Sequence, residues 1–456
     1  RAGAPGSAVP VWGLEGGDML SVLRSLWTYV GIGLLVFYVL LYALLDLPAS
    51  LQDTASVDPV RTLLGALVTG LITAQALVFT ITLVAAQLNA RYTHRMVTRV
   101  FTWPTALYMG LFIGSSIYSA VVLAALSNRS ADFTIHLLAL KPIHPASIAL
   151  ALAGTCLALL VPYLWSFRRR LDPEQMALDE GRRAVSRLRR GASTEPREVA
   201  ALDNIVMSAY GYKDYDTFAR GTEQLARVGQ EAWRRSRSEL GESIFRRIAH
   251  IGIATVDDPR APSQVIDVLY KTGAGLVSEG IQEASRQAAA AIYEIGEAAV
   301  DKGVDGVARQ VGFILSDLGS QAAEQGLVAT AEQAAYSLGS LGAKTSQRGL
   351  EDSTRQVAVF LRRVGVKAAE QKLDLVTRQA LVSVWSLGAH TTRHLPGCAE
   401  VVVRELEMLE QIAGSQLVDS SYLSTPGSRE LEEFRVRYLQ EVRGEQPVGE
   451  PEGTGS

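Results

Sequence analysis

Leu63 to Leu88 carries no charged residue over 26 positions. As a helix it would run roughly 39 Å, more than the ~30 Å hydrocarbon core of a bilayer. The length predicts a membrane span, tilted or protruding at one end. A basic cluster follows at once: Arg91, His94, Arg95 and Arg99.

The span carries a polar stripe. At 100° per residue, Thr62, Thr69, Thr73, Thr80, Gln87 and Arg91 fall within about 40° of one another. Gly65, Ala66 and Ala76 flank that face. Two readings compete. One is a helix-packing seam, where small residues allow close approach and Thr bonds its own helix. The other is a water-lined pathway ending in the basic mouth Arg91, His94, Arg95 and Arg99. Gln75 and Thr82 lie on another face and predict a second neighbouring helix.

Charged residues make up 20% of the chain and apolar residues 48%, but the two are segregated. Long apolar runs lie before residue 167. They predict a transmembrane domain over 24–170, with spans at about 26–45, 63–88, 105–126 and 147–167. Residues 1–23 read as a disordered segment with Met19 as the expected natural start, and 444–456 as a disordered tail. Gly110 and Gly114, with Ser115 and Ser119 nearby, make a helix-packing signal in the third span. Arg24, the Arg91/Arg95/Arg99 group and Arg168 to Arg170 fall on one side of a four-span arrangement. Trp27, Trp103 and Trp165 mark the same boundary. The positive-inside rule therefore predicts a multi-pass protein with both termini cytoplasmic. A net charge of −3 gives no reason to expect nucleic acid as a partner. Cys156 and Cys398 exclude a disulfide framework.

Residues 171–250 read as a cytoplasmic helical connector. From Gly273 the chain then repeats every 23 residues. Gly273, Gly296, Gly319, Gly342, Gly365 and Gly388 mark one phase. Gly280, Gly303, Gly326 and Gly349 mark a second, seven residues later. Gln287, Gln310, Gln333, Gln356 and Gln379 form a third. The pattern predicts an all-α fold in which an α-solenoid over 251–412 follows the membrane domain. The expected unit is a helix of about 14 residues ended by the first glycine, then a short return helix ended by the second. The glutamines are expected to form a ladder that satisfies backbone carbonyls between repeats, with a binding groove as the second reading. Residues 413–443 are assigned to a last, charged helix.

No phosphate-binding glycine loop or nucleophile elbow is present. His390 and His394 have i,i+4 spacing, but the repeat puts them at variable positions, so no metal site is expected there. His136 and His144 share an external loop. The sequence predicts no enzyme, no catalytic residue, no cofactor and no metal.

Phe79-Thr80-Ile81-Thr82-Leu83-Val84, then Gln87 and Ala90-Arg91-Tyr92-Thr93-His94-Arg95, resembles a family of uncharacterised bacterial predicted membrane proteins. Ala254 to Pro259 is a weaker match, and the resemblance runs over roughly 26–270. It implies a bacterial plasma-membrane protein with four spans, a cytoplasmic C-terminal half and no assigned activity. The expectation for function is an oligomeric channel or transport-like protein regulated by its helical repeat. The alternative is a membrane-anchored solenoid scaffold that binds a cytoplasmic protein. The expected partners are the lipid bilayer and other copies of the chain.

Overall fold

The computed structural model describes residues 31–42, 57–89, 103–128, 145–191, 195–414 and 428–443. These form sixteen helices, with no strand among the described residues. The chain divides into two compact units, Arg1–Asp172 and Pro173–Ser456.

The first unit holds α1 (Gly31–Tyr42), α2 (Val57–Asn89), α3 (Trp103–Asn128) and α4 (Pro145–Leu171). The last three contain stretches long and apolar enough to cross a membrane: Arg61–Val84, Leu107–Ala125 and Pro145–Trp165. α1 falls in the first expected span, and the rest of 26–45 lies outside the described residues. A Cβ on Gly154 of α4 would sit 2.9 Å from Leu40 Cδ1, so α1 lies close along α4. α2, α3 and α4 pack pairwise. Leu71 and Val78 of α2 meet Tyr108 and Phe112 of α3 and Cys156 and Tyr163 of α4. Leu64, Val122, Ala146 and Ala149 form a second apolar layer. Leu64, Leu71 and Val78 are seven residues apart, so they share one face of α2.

The packing expected of Gly110 and Gly114 is not the packing found. A Cβ at either would meet nothing within 4 Å. They lie on the exposed side of α3 with Ile113, Ile117 and Val121, while Tyr108, Phe112, Ser115 and Ser119 face inward. In this unit α3 uses its large residues for contact, and the small-residue face is left open.

The second unit begins with α5 (Pro173–Arg189), α6 (Arg197–Gly211), α7 (Tyr215–Arg234), α8 (Ser238–Ala254) and α9 (Ala261–Ser278). The regular array follows: α10 (Gln282–Asp301), α11 (Asp305–Glu324), α12 (Val328–Gln347), α13 (Glu351–Glu370) and α14 (Asp374–His394). It closes with α15 (Pro396–Ala413) and α16 (Ser428–Arg443). The solenoid is present, but its unit differs from the one the glycine spacing suggests. Each 23-residue repeat is one helix of 20 residues and a three-residue turn.

The second glycine phase makes that turn. Gly280, Gly303, Gly326 and Gly349 have φ between +71° and +75°. The residue after each, such as Val304 or Leu327, donates its N–H to the carbonyl five positions back, Ala299 or Ala322, at 2.8 Å. This closes the helix end, and the apolar residue that follows the glycine is the usual companion of such a turn. Lys372 takes the same conformation at φ +58° without being glycine. So do Lys213 and Ser236, each at φ +57° and 23 residues apart. The turn therefore recurs in 171–250 as well, where no glycine marks it.

The first glycine phase lies inside helices. A Cβ on Gly296 would sit 2.6 Å from Val311 Cγ1, and one on Gly319 would sit 2.8 Å from Ala334 Cβ. These glycines let neighbouring helices approach closely.

Every helix from α7 to α14 packs against the next one and the next but one, which sorts the array into two layers. Side chains bond along each layer across two repeats. Lys302 pairs with Asp257 at 2.7 Å, Arg348 with Asp301 at 3.2 Å, and Ser285 shares a hydrogen with Thr330 at 2.7 Å. α16 ends one layer, with Leu431 against Gly388.

Two stability predictions test this division of the glycines. Gly296→Val should destabilise the repeat by about 1–3 kcal/mol through overpacking. Lys372→Gly should stabilise it by about 1 kcal/mol by removing left-handed strain. Urea unfolding of the purified protein, followed by circular dichroism, reads both signs.

Candidate functional site

The α2 stripe lies on the surface of its unit. Thr69, Thr73, Thr80 and Gln87 are all exposed. Each threonine hydroxyl donates to the carbonyl four residues back: Thr69 to Gly65 at 3.0 Å, Thr73 to Thr69 at 2.8 Å and Thr80 to Ala76 at 2.8 Å. A threonine can do this at any point of a helix, so three of these groups need no outside partner. Gln87 differs, because an exposed amide in an apolar helix calls for protein or water beside it. Arg91, His94, Arg95 and Arg99 lie outside the described residues, as do His136 and His144.

The opposite side of α2 behaves as its second polar pair predicts. Thr82 is buried and lies 3.3 Å from the Tyr163 hydroxyl of α4. Gln75 borders a small cleft with Val78, Tyr108, Met109 and Phe112. Tyr108 stacks on Tyr163 at 4.5 Å and donates to the Cys156 carbonyl at 3.3 Å. This aromatic node ties the three long helices together. Ser115, Ser116 and Ser119 are also buried, and no protein group bonds their hydroxyls among the described residues. Ser115 and Ser119 share the inward face of α3 with Phe112 and Val122, one residue from each apolar layer of the unit.

The glutamine ladder bonds side chains, not the backbone carbonyls expected of it. Gln287 donates to Glu283, Gln333 to Ser337 and Gln379 to Ser383, each within its own helix. Gln310 bridges two helices, donating to Asp267 and accepting from Ser263. Gln356 is exposed. An amide four residues from a hydroxyl or carboxylate on one helix face finds it before a distant carbonyl. Apart from that of Gln310, further polar bonds between repeats lie off the ladder. Tyr270 and Gln321 both donate to Asp317, and Arg363 lies 3.3 Å from it. The Asp317 bond, then burial, pushes the Tyr270 hydroxyl above its ordinary value. Buried Glu231 receives Arg189 at 3.0 Å and Arg235 at 3.4 Å. Burial raises its carboxyl, but the two arginines outweigh burial and hold it below the usual range.

His390 and His394 stand 6.2 Å apart, ring to ring, and no group of three metal-binding side chains occurs among the described residues.

Residues 23–210 match a family described as predicted membrane protein (DUF2254). The expected resemblance to an uncharacterised membrane protein family thus holds over this segment, which spans α1 to α6. Ala254 to Pro259 lies beyond the matched segment. No curated protein matches the chain. A solved structure described as a circular tandem repeat protein with novel repeat topology and enhanced subunit contact surfaces is 13% identical. The match covers 85% of this chain and 95% of that one, with a TM-score of 0.34, too low to carry an argument.

Burial first, then the positive charges of His394 and Arg393, lowers the His390 pKa below 6.5. The folded protein then binds fewer protons than the unfolded chain once the pH falls below about 6.5. Stability should be unaffected above that pH, fall on acidification and level off below the folded pKa. Urea midpoints between about pH 7.5 and 5 measure the slope, which His390→Gln should flatten.

Proposed function

We propose that the protein is an oligomeric conduit in the bacterial plasma membrane, with α2 lining the pathway and the helical repeat regulating it from the cytoplasm. The observation that carries the reading is the surface position of Thr69, Thr73, Thr80 and Gln87. A polar stripe on the outside of an apolar unit is accommodated when several copies turn it toward a shared axis. Hydroxyls already bonded to their own helix keep acceptor lone pairs free for water or ions. Arg91 continues the stripe and would favour anions at the inner mouth. The pathway runs between copies, since one unit of this size is too small to enclose a wide pore. This is a transport reading, with no catalysis and no cofactor.

The arginine clusters support a four-span topology with cytoplasmic termini. Cys398 is buried, so it is a poor reporter of sidedness. Gln371 is exposed, and Gln371→Cys should resist an impermeant thiol reagent in intact cells and react after lysis. Labelling before lysis would reverse the orientation.

In liposomes, Thr80→Leu should lower ion flux by about tenfold, and Arg91→Glu should shift selectivity toward cations. A purified protein that stays monomeric, or unchanged flux in both variants, rejects the conduit. The scaffold reading rests on a separate observation. Phe313 of α11 and Val359 of α13 are exposed on helices of the same layer, apolar anchors suited to a protein partner. Replacing both with Ser should then release a bound protein and leave flux unchanged.

A further inference from the structure

The arginines of α5, with Arg190 just past its end, fall into two groups. Arg187 and Arg189 are committed to the fold. They meet the buried carboxylates Glu198 of α6, at 3.2 Å, and Glu231 of α7, at 3.0 Å. Arg182, Arg183 and Arg190 are exposed, and none forms an ion pair among the described residues. These three fall within about 100° of arc on the helix, with Asp179 as the one exposed carboxylate on that face. The opposite face, Met176, Ala177, Gly181, Ala184, Val185 and Leu188, is buried against the repeat. Elsewhere in this unit Arg234, Arg246, Arg286, Arg348 and Arg355 each hold a carboxylate, while Arg197 and Arg227 are exposed singly without an ion pair among the described residues. The trio differs in gathering three unpaired guanidinium groups on one helix face.

The chain itself limits what lies nearby. α4 is long and apolar enough to cross a membrane, and α5 starts at Pro173, with Asp172 alone between it and the end of α4 at Leu171. Arg182 and Arg190 are therefore tethered within roughly 20 and 33 Å of that end, whatever direction α5 takes. Guanidinium groups match phosphate geometry through paired donors, and a membrane-proximal basic cluster is drawn to anionic headgroups.

We infer that Arg182, Arg183 and Arg190 form a binding surface for the phosphate headgroups of anionic lipids beside the membrane helices. The inference rests on α4 being a membrane span and is independent of whether α2 conducts. A protein that failed to reconstitute would discredit the span, whereas a reconstituted protein tests the surface.

The full chain is reconstituted in nanodiscs of phosphatidylcholine with phosphatidylglycerol, and retained phosphatidylglycerol is counted by native mass spectrometry. The combined variant Arg182→Gln, Arg183→Gln and Arg190→Gln should retain about half as much as the natural chain. Arg404→Gln, an exposed change on α15 near the far end of the array, should retain the same amount as the natural chain. About 500 mM sodium chloride should erase the difference. Inorganic phosphate should compete only through its ionic strength. Equal retention by the natural chain and the triple variant overturns the proposal. Displacement by low-millimolar inorganic phosphate also overturns it, in favour of a soluble anion. Should the triple variant melt early, Arg182→Gln alone and the salt dependence of the natural chain decide the matter on the same terms.

Discussion

The repeat unit depends on a single backbone state. At each turn one residue sits in the left-handed region, and the next donates back across the helix end. That bond satisfies a carbonyl that would otherwise be left open, and it starts the following helix within three residues. The joint is short, so consecutive helices must pack on each other. Two layers follow, and with them the side-chain bonds between helices two apart. Glycine takes the state with little cost. Lys213, Ser236 and Lys372 take it because the helices on either side leave no alternative.

The two units handle buried polarity in opposite ways. In the repeat, buried carboxylates are held by arginines: Glu198 by Arg187, Glu231 by Arg189, and Glu405 by Arg362. Removing one partner of such a pair would strand a charge out of water. Among the described residues of the first unit the buried polar groups are uncharged hydroxyls, a thiol and tyrosines, Ser115, Ser119, Cys156 and Tyr163 among them. Neutral groups suit a segment surrounded by hydrocarbon, where an unpaired charge would be far more costly.

Much of this architecture is written in the sequence. The length of Leu63 to Leu88 needs no tertiary information to be read as a span. A 23-residue spacing held through five copies specifies a stacked array. The internal layout of the repeat was harder to read, because glycine has two uses that look alike in a sequence. Gly303 is followed by Val304, and Gly326 by Leu327, the apolar companion of a helix-ending turn. Gly296 is followed by Glu297 and Gly319 by Ser320, which lack it. Gly365, inside α13, is nonetheless followed by Val366, so the next residue alone does not separate a glycine that ends a helix from one that admits a neighbour. The α2 stripe was legible as a stripe, but its exposure depends on which face Tyr108, Phe112 and Tyr163 occupy. Periodicity within α2 cannot supply that.

The layering has a consequence for how such a chain can change in length. The ionic and hydroxyl bonds of the array join positions about 46 residues apart, not 23. Losing one repeat would preserve every helix and turn. It would also transfer all later helices to the other layer and give Lys302 or Arg348 the wrong neighbour. Losing two adjacent repeats keeps each remaining helix in its layer. Though its sequence counts in single helices, this array can lengthen or shorten without penalty only in pairs.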